Sequence, residues 1–224
     1  MRFRDRADAG SQLASLLLER DPRLPSERPF VLALPRGGVP VAVQVALALG
    51  APLEVVVSRK LGVPDQPEFG FGAVAEGGGI HVDADTVRLL ALSEETIERV
   101  TEAQAQEVAR RVERYRQGRP LPILRGRVAI LVDDGIATGG TAKAAIRSVR
   151  RLRPDRLVLA VPVASASART DFEREVDELV ALKTPETLWA IGAWYEDFGQ
   201  LSDAEVLAWL EAARARHEAE QPAP

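Results

Sequence analysis

Short apolar runs that alternate with helix-like segments are the feature that most limits how this 224-residue chain can fold. Most of the runs are apolar at consecutive positions, as expected for strands that are covered on both faces. Alternation of such strands with helices is typical of an α/β fold with a parallel sheet flanked by helices. The predicted strands are 30–34, 53–58, 128–132, 157–163 and 178–182, and the predicted crossover helices are 39–50 and 141–152.

One long region interrupts this alternation, because residues 60–126 exceed the length of a simple crossover. The glycines at 77–79 predict a hairpin, and a long helix is expected from Ser93 to about Arg116. The glycine and proline density of "KLGVPDQPEFGFG", residues 60–72, predicts a mobile segment before the hairpin. Residues 60–126 are therefore predicted to be an insertion in the α/β fold.

Length and composition agree with one domain, since 224 residues with 46% hydrophobic content can bury one good core. Near the C-terminus, "SDAE" at 202–205 is a capping box that opens an apolar-periodic helix. We expect a single domain over 1–224, with the insertion at about 60–126, a C-terminal segment at about 183–201 and a last helix at 202–218.

Charge and residue content exclude several classes of protein. A net charge of −4, with arginines scattered among acids, gives no basic field for a nucleic-acid backbone. There is no cysteine, and the histidines His81 and His217 lie in no motif, so no disulfide framework or thiolate metal site is expected. Without a signal-like start or a membrane-length apolar run, a cytoplasmic protein is expected. The absence of asparagine and the excess of arginine over lysine agree with a thermophilic source or with GC-rich codons.

The stretch "VAILVDDGIATGGT" begins at Val128 and places two carboxylates and a glycine-threonine loop between a strand and a helix. In an open parallel sheet, ligands bind at the carboxyl ends of the strands. Backbone amides at a helix N-terminus favour a phosphate. The loop does not fit GxGxxG, and it has Thr141 where a triphosphate loop needs lysine. The site is therefore predicted to hold a monophosphate.

The carboxylates of Asp133 and Asp134 precede this loop by about the distance that separates a 5-phosphate from a ribose diol. Carboxylates accept hydrogen bonds from paired hydroxyls, so a ribose 5-phosphate fits both features. The alternative is that one aspartate caps the turn and the other is solvated. The ordered combination favours the sugar phosphate, and both carboxylates are expected to be at least partly exposed.

"VAILVDDGIATGGT" resembles the signature of the type I phosphoribosyltransferases. The resemblance implies that Asp133 and Asp134 bind the ribose hydroxyls of phosphoribosyl pyrophosphate. It also implies that the following loop binds the 5-phosphate. The loop residues are Ala137, Thr138, Gly139, Gly140 and Thr141.

A second stretch, "LALPRGGVPVA" at 32–42, resembles the pyrophosphate loop of the same family. Gly37 and Gly38 let backbone amides approach an anion, and Arg36 adds positive charge. The family often has a non-proline cis peptide here, which would fall near Arg36 and Gly37. A purely structural turn would also explain the glycines, but it would leave the arginine without a role.

The segment "SRKLGVPDQPEFG" at 58–70 lies where the family carries a flexible catalytic loop. The resemblance implies that Arg59 and Lys60 reach the pyrophosphate and that Glu68 acts on the leaving or incoming base. Ordinary surface charges are the alternative for these residues.

"LWAIGAWYEDFGQ" at 188–200 resembles the hood segment that receives the nucleobase in this family. Trp189 would stack on the base, and Glu196 and Asp197 would lie near the metal. Tryptophans are more often core residues, so packing is the alternative for Trp189.

The resemblance implies an enzyme that uses phosphoribosyl pyrophosphate and Mg²⁺ to transfer ribose 5-phosphate to a nitrogenous base, with release of pyrophosphate. Its catalytic residues would be Asp133, Asp134 and Glu68. Members that act on 6-oxopurines usually carry an aspartate where this chain has Ala137. The rival hypothesis is a sensor or regulator that binds the same ligand without turnover. The sequence leaves open the base and the formation of a homodimer.

Overall fold

The computed structural model describes residues 2–64 and 66–220, without the side chains of Pro67, Glu68 and Glu220. The strands are β1 (Phe30–Ala33), β2 (Leu53–Val55), β3 (Ser58–Val63), β4 (Gln66–Ala75), β5 (Gly79–Val82), β6 (Val128–Val132), β7 (Arg156–Val163) and β8 (Glu178–Lys183). The helices are α1 (Arg6–Arg20), α2 (Gly38–Leu49), α3 (Ala84–Leu89), α4 (Glu94–Arg116), α5 (Gly140–Arg151), α6 (Ala166–Phe172) and α7 (Asp203–Glu220).

A five-stranded parallel sheet in the order β2-β1-β6-β7-β8 forms the centre of the fold. All five residues of β6 are buried, as the consecutive apolar pattern predicts for a central strand. This confirms the predicted α/β class. Four of the predicted strands lie within one residue of their observed ends. The fifth prediction, 53–58, was wrong at its end, because β2 stops at Val55 and Ser58 already belongs to β3.

The sheet is covered on both faces, since alternate residues of its strands enter two apolar clusters. On one face, α1, α2 and α7 bury Leu13, Val41 and Leu210. On the other face, α5 and α6 bury Ile146 and Phe172. In the described part of the chain, no helix is long and apolar enough to cross a membrane.

The insertion forms a second, antiparallel sheet in the order β3-β4-β5. The hairpin at 77–79 and the long helix α4, capped by Ser93, are present as predicted. Within the segment 60–72, the described residues belong to β3 and β4 or the turn at Pro64, and the strands pair with irregular register after Leu61. Leu61 and Phe71 are fully buried. The mobility predicted for this segment stays a prediction.

A buried ion pair fastens this insertion to the core. The Glu76 carboxylate accepts a hydrogen bond from the Val57 amide at 2.8 Å and pairs with Arg116, the last residue of α4. The Ser148 hydroxyl of α5 donates to the Glu76 carbonyl at 2.5 Å. Burial raises the pKa of Glu76, and the charge of Arg116 opposes this shift. The pair therefore joins the hairpin turn, α4 and α5 at one point.

We expect Arg116→Met to lower the free energy of unfolding by about 3–5 kcal/mol, because it leaves a buried, unpaired carboxylate. Adding Glu76→Gln to this variant should recover part of the loss. The control is Arg169→Met, which removes an exposed ion pair with Glu173 and should cost less than about 1 kcal/mol. Urea unfolding gives the free energy of unfolding of the wild type, the two single arginine variants and the double variant. Equal losses of stability for Arg116→Met and Arg169→Met would contradict the role assigned to the buried pair.

Candidate functional site

A cavity of about 650 Å³ opens at the carboxyl end of β6. One wall is the loop from β6 to α5 with the first turn of α5, and it includes residues 133–143. The facing wall comes from the insertion, with Lys60, Phe69 and His81 among its side chains. Ile191 closes the cavity from the C-terminal segment. The cavity therefore lies where an open parallel sheet binds its ligands.

The two adjacent carboxylates lie at the base of this cavity, directly after the buried end of β6. Asp133 Oδ1 accepts a hydrogen bond from the Asp134 amide at 2.8 Å. Asp134 Oδ2 accepts one from Arg6 Nε at 2.9 Å, and the Tyr195 hydroxyl donates to the Asp134 carbonyl at 2.6 Å. Asp133 is partly exposed as expected, but Asp134 is only 9% exposed, so the expected exposure was wrong for that residue. The N-terminal helix and the C-terminal segment cover it.

Burial shifts the pKa of both carboxyl groups. It raises the pKa of Asp133 well above the ordinary value, and the neighbouring charge of Asp134 raises it further. Burial also raises the pKa of Asp134, although the ion pair with Arg6 opposes the shift. Two ionised carboxylates at this place cost free energy in the ligand-free protein. Hydroxyl donors from a ligand would offset part of that cost.

The loop after the carboxylates, which is predicted to bind an anion, leads directly into α5. Gly139 caps the helix with φ 72°, and a Cβ atom there would lie 2.4 Å from the Phe172 ring. Only glycine meets both constraints without strain. The Ser165 hydroxyl donates to the Ala137 carbonyl at 3.0 Å and so fixes the start of the loop. The amides of the first helical turn have no intrahelical partner, so they are available to bind an anion.

The second glycine loop abuts the carboxylates from the side of β1. It contains a cis peptide between Pro35 and Arg36, one bond before the expected position. A Cβ atom on Gly37 would lie 1.9 Å from Asp134 Oδ2, so the backbone of this loop is in direct contact with the carboxylate. Arg36 is exposed and is not among the residues that line the main cavity. The glycine loop predicted for pyrophosphate thus contacts Asp134, which directly precedes the loop predicted for the 5-phosphate.

The residues predicted for the flexible loop divide between two cavities. Lys60 lines both the main cavity and a neighbouring one of about 550 Å³ between β3 and α4. Arg59 lines only the neighbouring cavity, where its Nε donates to Gln104 Oε1 at 3.1 Å. Glu68 lies in β4, but its side chain is outside the described residues.

Three residues were given roles in the predicted hood, and none of them lines the main cavity: Trp189, Glu196 and Asp197. Trp189 is 92% exposed, and Ile191 faces the cavity from the same segment. Glu196 and Asp197 are exposed, and their amides donate to the Phe3 and Arg4 carbonyls. Within 2–64 and 66–220, no three histidine, cysteine or acidic side chains gather as a metal site.

Sequence reasoning missed two side chains at this site. His81, which matched no motif, lines the cavity, and its Nδ1 is buried with no hydrogen-bond partner among the described residues. Burial lowers the pKa of His81, and the charges of Arg147 and Lys143 lower it further. Arg6 contacts a carboxylate 128 positions away, and nothing in the local sequence indicates such a contact.

The five-stranded parallel sheet flanked by helices, with a cavity at the carboxyl end of a central strand, places the chain among the open-sheet α/β proteins. The family profile described as "Phosphoribosyl transferase domain" matches residues 6–193, and the chain belongs to this family.

The relatives agree with this assignment. The crystal structure of TT1426 from Thermus thermophilus is 45% identical, covers 94% of this chain and 98% of its own, and superposes with a TM-score of 0.77. Two Mycobacterium tuberculosis proteins, Rv0571c and MT0597, are provisionally named as phosphoribosyl transferases and are 48% identical over 211 residues. The match covers 94% of this chain but 47% of theirs, so the chain spans about half the length of these relatives.

We expect inorganic phosphate or sulfate to bind the amides of residues 137–141, which a crystal grown with either ion would show. Gly139→Ala should weaken this binding, since its Cβ would collide with the Phe172 ring. Gly126→Ala is the matched control, because Gly126 also has a positive φ of 76° but an added Cβ meets nothing within 4 Å. An anion bound elsewhere, or equal effects of the two substitutions on phosphate affinity, would contradict the assignment.

We expect Asp133→Asn to stabilise the protein at neutral pH while it weakens the binding of phosphoribosyl pyrophosphate. A carboxyl group with a raised folded pKa contributes stability at low pH that is lost as the pH rises through that pKa. The wild type should therefore lose stability as the pH rises above the ordinary value of 3.8, and the variant should lose less. Asp134→Asn should instead lower stability, since it breaks the ion pair with Arg6.

Urea unfolding between pH 4 and pH 8 tests the stability effect, and calorimetry tests the affinity. Asp171→Asn is a control for loss of charge, because Asp171 lines the same cavity with a side chain that is 62% exposed. The same pH dependence in wild type and Asp133→Asn would show that Asp133 is not the group that titrates.

Proposed function

We propose that the chain is a phosphoribosyltransferase that transfers ribose 5-phosphate from phosphoribosyl pyrophosphate to a nitrogenous base and releases pyrophosphate. The observation that carries this proposal is the contact of Gly37 with the Asp134 carboxylate, which directly precedes the loop at 137–141. The loop at 137–141 suits the 5-phosphate, and the carboxylate pair suits the ribose diol. The glycine loop that touches Asp134 suits the pyrophosphate. Each part of the donor therefore has a partner in one continuous site.

The chemistry follows from where these groups lie. The bond between the anomeric carbon and the pyrophosphate oxygen breaks, and a bond from that carbon to a nitrogen of the base forms. The base loses a proton, and pyrophosphate leaves with the bonding electrons. Positive charge that builds on the sugar ring is stabilised by the carboxylates of Asp133 and Asp134. The guanidinium of Arg36 stabilises the negative charge of the leaving group.

The family generally uses Mg²⁺ with phosphoribosyl pyrophosphate, and the donor set here fits such an ion. Mg²⁺ usually binds through one or two carboxylates and substrate phosphates, and it keeps several waters. The site offers the Asp133 and Asp134 carboxylates beside the proposed pyrophosphate position, and it has no all-protein cage within the described residues. These carboxylates would hold the ion, which would supply charge neutralisation for the leaving group.

The second candidate function is a sensor or regulator that binds the same ligand without turnover. One observation favours it. The predicted stacking residue Trp189 is 92% exposed and does not line the cavity, so the donor half of the site is better defined than the acceptor half. A protein that only binds phosphoribosyl pyrophosphate needs no acceptor half.

Release of pyrophosphate separates these functions. We expect turnover with at least one base from adenine, hypoxanthine, guanine, orotate, uracil and nicotinate, given phosphoribosyl pyrophosphate and Mg²⁺. Hypoxanthine and guanine should be poor substrates, because Ala137 cannot take a proton from the purine ring. Glu68→Gln should slow turnover if Glu68 transfers the proton, as proposed from the sequence.

Each outcome is informative. Efficient turnover of hypoxanthine or guanine would refute the argument from Ala137. Undiminished activity of Glu68→Gln would remove Glu68 from the mechanism. Tight binding of phosphoribosyl pyrophosphate, without release of pyrophosphate for any of these bases, would favour the sensor.

A further inference from the structure

The Arg6 side chain at the start of α1 reaches the sugar site from the N-terminal end of the chain. Its Nε donates to Asp134 Oδ2 at 2.9 Å, and its Nη1 donates to the Gly199 carbonyl at 2.9 Å. The guanidinium lies 3.8 Å from the centre of the Phe198 ring. The side chains of Arg6 and Asp134 are only 11% and 12% exposed. This is a shielded and geometrically fixed ion pair, unlike an ordinary surface contact.

Arg6 belongs to a larger unit that surrounds Asp134. The Asp134 clamp, as we call it here, consists of Phe3, Arg6 and residues 194–199. The Phe3 backbone forms hydrogen bonds with both Trp194 and Glu196. The Phe3 and Tyr195 rings pack at 5.4 Å, and the Tyr195 hydroxyl donates to the Asp134 carbonyl. The clamp therefore holds Asp134 by its side chain from α1 and by its backbone from the C-terminal segment.

The hydrogen bonds divide the four carboxylate oxygens into two kinds. Oδ2 of Asp134 is held by Arg6 and lies against Gly37. Oδ1 of Asp133 accepts the Asp134 amide. Oδ2 of Asp133 and Oδ1 of Asp134 accept no backbone or arginine hydrogen bond from the described residues, and the two carboxyl groups also interact with each other. Two acceptors on adjacent residues match the two neighbouring hydroxyls of a ribose.

We propose that Arg6 is a positioning residue of the sugar site, which orients the Asp134 carboxylate so that Oδ1 accepts a ribose hydroxyl. The inference rests on the proposed function, since it concerns the same donor site. It assigns specificity for a cis-diol to a side chain on α1, outside both anion loops. The contrary reading is that Arg6 only fastens α1 to the C-terminal segment.

The ligand experiment compares Arg6→Met and Arg6→Lys with the matched control Arg4→Met. Arg4 lies two residues earlier, is 78% exposed and pairs with Asp8, away from the site. Calorimetry with phosphoribosyl pyrophosphate and Mg²⁺ should show that Arg6→Met binds this donor about tenfold or more weakly than the wild type. This loss of affinity corresponds to one charge-assisted hydrogen bond. Arg6→Lys should recover part of the loss, and Arg4→Met should bind like the wild type.

A second ligand pair tests positioning directly. Wild type should bind ribose 5-phosphate more tightly than 2-deoxyribose 5-phosphate. Arg6→Met should reduce the ratio of these two affinities. A purely structural role would change stability but leave the ratio intact. A wild-type ratio in Arg6→Met, or wild-type affinity for phosphoribosyl pyrophosphate, would overturn the proposal.

A ligand-free experiment separates this inference from the proposed function. Urea unfolding of Arg6→Met, Asp134→Asn and the double variant forms a double-mutant cycle. Strong non-additivity is expected if Arg6 holds the carboxylate, and additive effects would overturn the positioning role even in a protein that binds no phosphoribosyl pyrophosphate. Failure of the wild type to bind that donor would instead overturn the proposed function.

Discussion

Two adjacent carboxylates follow a central strand, and because burial raises the pKa of both, their negative charges are costly in the folded protein. Much of the surrounding structure can be understood as a response to this constraint. Arg6 supplies a positive charge, and Tyr195 holds the backbone of Asp134. Gly37 provides the space that a larger residue would fill. The constraint explains why segments from the start, middle and end of the chain meet at one point.

Helix α5 connects this site to the insertion. Its N-terminus follows the phosphate loop, while its flank carries the antiparallel sheet. The Ser148 hydroxyl donates to the Glu76 carbonyl, and Arg147 donates to the Ile80 carbonyl at 2.5 Å. Because β5 is fixed to α5 in this way, His81 faces the same cavity as the phosphate loop. The insertion is therefore a wall of the site and is positioned by the same helix as the phosphate loop.

The fold class and the glycine loops could be predicted from the sequence because their signals are local. Consecutive apolar residues indicate a covered strand, and a Gly-Thr loop before a helix indicates an anion site. Long-range contacts were not predictable in this way. The pairing of Arg6 with Asp134 depends on how α1 packs, and the burial of Leu61 and Phe71 depends on how β3 pairs with β4. The exposure of Trp189 depends likewise on the path of the C-terminal segment.

The close approach of Gly37 to Asp134 has an evolutionary consequence. Any side chain at position 37 would displace the carboxylate, since even a Cβ atom would overlap Oδ2. A substitution in the loop that suits pyrophosphate would then appear in kinetic measurements as a defect in sugar recognition. The glycine at position 37 and the carboxylate at position 134 therefore form one unit, and a change at either position alters the surroundings of the other.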